Sequence, residues 1–309
     1  MVGVADIPSA EELVAAASRL PDSAHRFPDG GQYRIEIPSV EGAEAALTVL
    51  DRAAESGVPV HRISQGSGIM VLSDAEIGDY VRLGAERRVE VCLFTGPRAP
   101  WDGASASALT PDGRFTGWRN VGMRSLLAAR EDVRRAAALG IRSVLIADEG
   151  LAYLISQDKA AGVVPGDLVV KASALLGIAN PVGAAVLAGL GVDSLNIPAD
   201  TPFGELAAYR AAAPAFLDLY IEAPDGLGGF MRYHDLGEIV RIAAPVYLKF
   251  GLRNAPGIYP AGEHLKPVVL ASAWERVRRA AVGLEHLRRQ YPGAVGSPVG
   301  KDSRGIPVP

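Results

Sequence analysis

The chain is short of the residues that most often announce a metal or a redox centre, with one cysteine and five histidines among 309 residues. A lone thiol, Cys92, can form no internal disulfide and cannot hold an iron–sulfur cluster, so no such cluster is expected. Lying inside an apolar run, it reads as a small buried hydrophobe. The scarce histidines show no zinc-ligand spacing. No stretch approaches the roughly 18 uninterrupted apolar residues of a membrane span. The first residues also lack a basic region leading into an apolar one, so a cytoplasmic protein with no membrane partner is expected. Neither sign of charge dominates: 31 basic and 35 acidic residues are intermixed, for a net charge of -4. That leaves no electrostatic footprint for a nucleic-acid backbone, and no nucleic-acid partner is expected.

What the chain does have is hydrophobic content, 49% of its residues, enough for a large core. Much of it comes in short apolar runs with polar side chains at alternate positions. Four follow one another between Asp167 and Arg253: Leu168–Ser173, Ser194–Ile197, Leu217–Glu222 and Val246–Gly251. Each has the length of a buried strand, and Ala-rich segments of helical length separate them. A pleated strand turns alternate side chains to opposite faces, so Lys171, Asn196, Asp218, Tyr220, Glu222, Tyr247 and Lys249 are placed on one face. Earlier runs at Tyr33–Ile37, Val58–Ser64, Val89–Thr95 and Ser143–Ala147 bring the count to eight. Eight strands with helices between them and no hairpin signal predict a closed, eight-stranded parallel β/α barrel, a TIM barrel. Parallel strands wrapped by helices are ordinarily apolar on both faces, so the repeating charges mark a polar lumen, read as the active site. The glycine spacing after the first strand fits no dinucleotide fingerprint, which counts against a doubly wound open sheet.

Around that barrel, expected over residues 32–290, the chain divides simply. Residues 1–31 should form a helix, with Leu13, Val14, Ala17 and Leu20 on one stripe, and a turn-rich lead-in. Residues 99–120, without periodicity, are expected to be a loop serving as a lid or an oligomer arm. The Gly/Pro-rich tail at 291–309 is expected to be poorly ordered unless a neighbouring subunit holds it, and with the loop it suggests a homodimer.

Reactive groups of β/α barrels lie at the carboxyl ends of the strands. Glu36, Arg62, Asp148, Glu149, Lys171, Asn196, Glu222, Lys249 and Arg253 all map there. Acids and bases roughly balance, which favours a small polar ligand over a bare metal cage. Lys171 and Lys249 are the sharpest candidates, because a desolvated lysine can lose its proton and act as a base or form a Schiff base; the alternative is a lysine locked in an ion pair. Glu36 and Glu222 are candidate proton carriers, and Tyr247 and Tyr220 candidate relays. Arg62 and Arg253 are read as an anion clamp, with Gln65 in a glycine-rich loop, Asn196 and Arg98 beside the substrate. Under an alternative reading, Glu36, Asp148, Glu149 and Glu222 hold a divalent metal ion; otherwise no cofactor is required.

The segment Lys171–Asn180, then Leu190-Gly191-Val192-Asp193-Ser194-Leu195-Asn196, and the block Tyr247-Leu248-Lys249-Phe250-Gly251-Leu252-Arg253 resemble the collagenase-like peptidase family, peptidase family U thirty-two. The resemblance covers about a third of the chain and implies a barrel, with Lys249 and Arg253 in its final motif. It departs at Glu222-Ala223-Pro224-Asp225-Gly226, where many relatives carry a His-Gly-Ala-Leu-Cys block, and in the cysteines of cluster-binding members. The expected function is an enzyme acting on a small anionic molecule, a sugar acid or keto acid, by lyase-type chemistry at lysine. A metal-assisted, peptidase-like hydrolase and a non-catalytic binding barrel are the alternatives.

Overall fold

The computed structural model describes residues 20–98 and 118–309. The helix expected around Leu13 and most of the loop expected over 99–120 lie outside the described residues. Among the described residues eight strands alternate with eight α-helices: β1 (Tyr33–Pro38), α1 (Ala43–Ser56), β2 (Val60–Gln65), α2 (Asp74–Arg87), β3 (Glu90–Phe94), α3 (Gly122–Ala138), β4 (Ser143–Ile146), α4 (Glu149–Ala160), β5 (Val169–Ala172), α5 (Pro181–Gly189), β6 (Ser194–Asn196), α6 (Phe203–Ala212), β7 (Phe216–Glu222), α7 (Leu236–Ala243), β8 (Val246–Phe250) and α8 (Lys266–Gln290). All strand pairs are parallel, and β8 pairs back onto β1, so the sheet closes into the predicted TIM barrel.

Local chemistry explains the element ends. Ser73 accepts from the backbone of Glu76 while Glu76 accepts from the backbone of Ser73, a reciprocal capping box that starts α2. Gly57 closes α1 in the left-handed region that disfavours other residues. The outward strand residues, among them Ile35, Ile37, Val91, Leu93, Leu217 and Leu248, pack under the helices in one continuous apolar shell. Hydrophobic burial therefore lies outside the strand ring, which frees the lumen for polar groups.

The tail is a correction to the expectation. Instead of lacking order or waiting for a second subunit, it packs on the amino end of its own barrel. Ser297 donates its backbone N–H to Tyr33 at 3.1 Å, and its hydroxyl accepts from Arg34 at 3.1 Å. Asp302 pairs with Arg34 at 3.0 Å, and Val308 donates to the Gly140 carbonyl at 2.9 Å. From the other side, Asp29 pairs with the same Arg34 at 2.8 Å, and the Phe27 ring lies 4.1 Å beneath its guanidinium. Lead-in and tail thus plug the bottom of the lumen together.

His61 ties this plug to the sheet. Between Ile35 and Glu36 the register of β1 on β2 shifts, so β2 carries one extra residue. The His61 ring fills the gap: Nδ1 accepts from the Ile35 N–H at 3.0 Å, and Nε2 lies 2.8 Å from the Ser297 carbonyl, to which it donates. A neutral imidazole satisfies both contacts, and burial pulls its pKa down to about 4. The native state then holds His61 neutral while an unfolded chain takes up a proton below about 6.5. Stability is predicted to fall as the pH drops from about 6.5 to about 4, by roughly 3 kcal/mol from this group. Urea midpoints across that range should show His61→Gln lacking this component; equal pH slopes in variant and wild type would refute it.

Candidate active site

Among the described residues three acids and three bases meet across the middle of the lumen in one network. Glu36 on β1 contacts Lys171 on β5, a strand opposite in the closed sheet, so the pair can form only through the interior. The same carboxylate accepts from Ser64 at 2.7 Å and Arg62 at 3.2 Å, and lies 3.4 Å from the Lys249 amine. Asp218 accepts from Arg62 at 2.8 Å and from Ser194 at 2.7 Å. Glu90 lies 2.8 Å from the other edge of Arg62 and accepts from Ser143 at 2.7 Å. Burial alone would raise the pKa of Glu36, but the charges of Lys171, Lys249 and Arg62 outweigh it and hold the carboxyl well below its ordinary value. Lys171, fully buried, shifts the other way: desolvation lowers its pKa despite Asp218 and Glu36.

Above this network a cavity of about 380 Å³ opens at the carboxyl end of the strands. Lys249 forms part of its floor; Arg62 and Lys171 lie deeper and do not line it. The Lys249 amine donates to Asn196 Oδ1 at 3.0 Å and stands 4.2 Å from the centre of the Tyr220 ring, which also lines the cavity. Burial pushes the Tyr220 phenol above its ordinary value, so it stays a proton donor. The segment after β8 closes one side, where Tyr259 hydrogen-bonds Ser39. A side chain at Gly66 would meet the Tyr259 ring at 2.5 Å, which is why that loop needs glycine.

Several expected site residues have other occupations. Arg62, 1% exposed and stacked 3.6 Å over Tyr247, is neutralised by three carboxylates and cannot clamp a ligand. Tyr247 sits in the lower lumen, donating to Glu90 at 3.2 Å and accepting from Arg34 at 3.2 Å. Glu222 leaves the lumen altogether. A register shift between Tyr220 and Glu222 puts Glu222 in step with outward-facing Phe250, so it accepts from Tyr233 at 2.6 Å and lies 3.7 Å from Arg279 on α8. Arg253 is mostly exposed, 3.8 Å from Asp225. Arg98 lines the cavity but donates to the carbonyls of Gly66, at 2.8 Å, and Ser67, shaping the loop in which Gln65 accepts from Gly68 at 3.0 Å. Asp148 caps α4 through the Leu151 N–H at 3.0 Å, and Glu149 pairs with Arg119 on the surface. The four carboxylates of the metal reading are thus held by separate partners, and among the described residues no group of three acids, histidines or cysteines is placed to hold an ion. Cys92 is buried, its thiol pushed up to about 12.

Sequence reasoning missed Arg276. It lies mid-way along α8, where the pattern reads only as a helix stripe, yet its side chain is 4% exposed and lines the cavity. Its Nη1 donates to the Ser39 carbonyl at 3.3 Å, its Nε has no partner, and no carboxylate among the described residues pairs with it.

No family model matches the chain, and no curated protein does. Solved structures similar to it include the YdjI aldolase from Escherichia coli K12, at 19% identity over 86% of this chain and 93% of that one, with a TM-score of 0.47. A truncated 3-deoxy-D-arabino-heptulosonate 7-phosphate synthase from Thermotoga maritima follows at 14% identity, 89% and 95% coverage and a TM-score of 0.48. The U32 peptidase Mk0906 matches at 18% identity over 65% of this chain and 73% of that one, with a TM-score of 0.41. At such distances the likeness reaches no further than the barrel. None of these comparisons places the chain in family U thirty-two.

Removing the central acid tests the network. Glu36→Gln would leave Lys171, Lys249 and Arg62 facing one another, and should cost roughly 3–5 kcal/mol of stability at neutral pH, read from urea unfolding. Because Glu36 is held below its ordinary 4.5, the wild-type advantage should shrink as the pH falls through and below that value. A loss under about 1 kcal/mol would mean the cations do not depend on it.

Proposed function

We propose that the cavity is the active site of a lyase-type enzyme in which Lys249 forms a Schiff base with the carbonyl of a small anionic substrate. The observation that carries this reading is the position of Lys249: of the lumen's three network cations it alone reaches the cavity, within 3.4 Å of Glu36 and 3.0 Å of Asn196. An amine so placed adds to a carbonyl, water leaves, and the iminium draws the electron pair of an adjacent breaking bond into an enamine. Protonation of the enamine and hydrolysis return the lysine. Glu36, kept ionised, is the counter-ion for the iminium rather than the proton carrier first expected. Lys171, whose pKa burial lowers, shares that carboxylate with Lys249 and limits how much of its charge Lys249 can claim. Tyr220 is the donor at the cavity wall.

A metal-assisted hydrolase has less support, since Glu36, Asp148, Glu149 and Glu222 are not brought together. A cytoplasmic setting is part of the proposal, and no helix among the described residues is long and apolar enough to cross a membrane.

Reduction with borohydride in the presence of candidate keto acids and sugar acids, followed by peptide mass mapping, should place the adduct on Lys249. Lys249→Met should abolish the adduct and lower turnover by roughly 10³-fold or more. Turnover that survives Lys249→Met would exclude the imine route.

A further inference from the structure

The cavity has two unlike walls. Toward β8, β1, β2 and α8 it is polar, built from Lys249, Ser39, Ser64, Tyr259 and Arg276. Toward β3, β4 and the turn after β5 it is mostly apolar: Phe94 and Leu145 belong to a buried lumen-side cluster, Trp118 and Leu175 pack against it, and the Arg98 guanidinium lies 4.1 Å from the centre of the Phe94 ring and 5.1 Å from that of Trp118. The division follows the circumference of the ring, because β8, β1 and β2 are contiguous, as are β3, β4 and β5.

Among the described residues no carboxylate lies within ion-pair reach of Arg276, and only the more distant charge of Glu41 acts on it. A buried guanidinium cannot shed its proton, and an unpaired one is costly. Arg62, equally buried, meets three carboxylates, whereas the single neutral acceptor given to Arg276 leaves most of its planar fork unused. A ligand carboxylate matches such a fork in shape and charge. A polyhydroxylated chain would leave its hydroxyls unpaired along Phe94, Leu145, Trp118 and Leu175.

We infer that the substrate is a 2-oxo acid bearing an apolar or aromatic substituent, with its carboxylate on Arg276 and its substituent on the β3–β5 wall. The inference rests on the Schiff-base reading above and narrows it, selecting the keto acid over the sugar acid. Arg276 then sets specificity and position and makes no covalent bond. The cavity, about 380 Å³, lies at the small end of ligand pockets, as a single such acid requires.

The test is binding to the full chain, which needs no turnover. Phenylpyruvate, 4-methyl-2-oxopentanoate, pyruvate, gluconate and inorganic phosphate are compared by thermal shift and titration calorimetry. Phenylpyruvate or 4-methyl-2-oxopentanoate should raise the melting temperature most, and Arg276→Met should weaken that binding by roughly 10- to 150-fold. The empty Arg276→Met protein should melt no lower than wild type, because an unpaired buried charge is gone. If that variant fails to fold, Arg276→Lys decides, since it keeps the charge but loses the fork; an unchanged Kd there overturns the assignment. Gluconate, phosphate or pyruvate binding as tightly as the apolar acids, or no acid binding at all, would overturn it too. Apolar-acid binding that depends on Arg276 without any Lys249 adduct would remove the Schiff base and leave this inference standing. A Lys249 adduct that forms as readily in Arg276→Met would do the reverse.

Discussion

A single buried carboxylate holds the interior together. Glu36 touches side chains from β2, β5 and β8, and without it the central network would contain three cations against two anions, Glu90 and Asp218. With it the count is three against three. Like charges in a dry interior repel strongly and unpaired ones are poorly solvated, so a polar barrel core is tolerable only when neutral and thoroughly hydrogen-bonded. The serines at positions 64, 143 and 194 complete the carboxylates' shells. Because the apolar shell lies between strands and helices, the folding energy does not depend on filling the lumen with aliphatics.

The two ends of the ring are treated differently. At the amino end, Arg34 collects Asp29, Asp302, Ser297, Tyr247 and the Phe27 ring, all from the chain itself. At the carboxyl end, Lys249 and Arg276 face open volume. Three cations of the same protein thus have three fates set by surroundings rather than residue type. Arg62 is neutralised and structural, Lys249 is half held by the network and half offered to the cavity, and Arg276 has no carboxylate in ion-pair contact among the described residues. Chemistry is expected where compensation is incomplete, because there a ligand gains what the protein has not already satisfied.

Much of this was legible in sequence. Strand and helix periods survive in short windows, and they placed all eight strands to within a residue or two. They also put Lys171, Asn196, Asp218, Tyr220 and Lys249 on one lumen face. The misses have different causes. Period-two reasoning holds only while the register runs unbroken, and the extra residue before Glu222 turns that carboxylate out to α8. The tail's Gly and Pro content suggested disorder, but composition says nothing about a barrel mouth waiting to be plugged. Arg276 carried no signal, since a helix surface and a cavity wall demand the same pattern along α8.

By itself, then, the sequence determined the class of the fold and the polarity of its interior, since both follow from local alternation of side chains along extended backbone. Which charges neutralise one another and which remain for a ligand was decided only in three dimensions. Pairing depends on ångström-scale distances between strands far apart in the chain, and on bulges that leave no mark in composition or period.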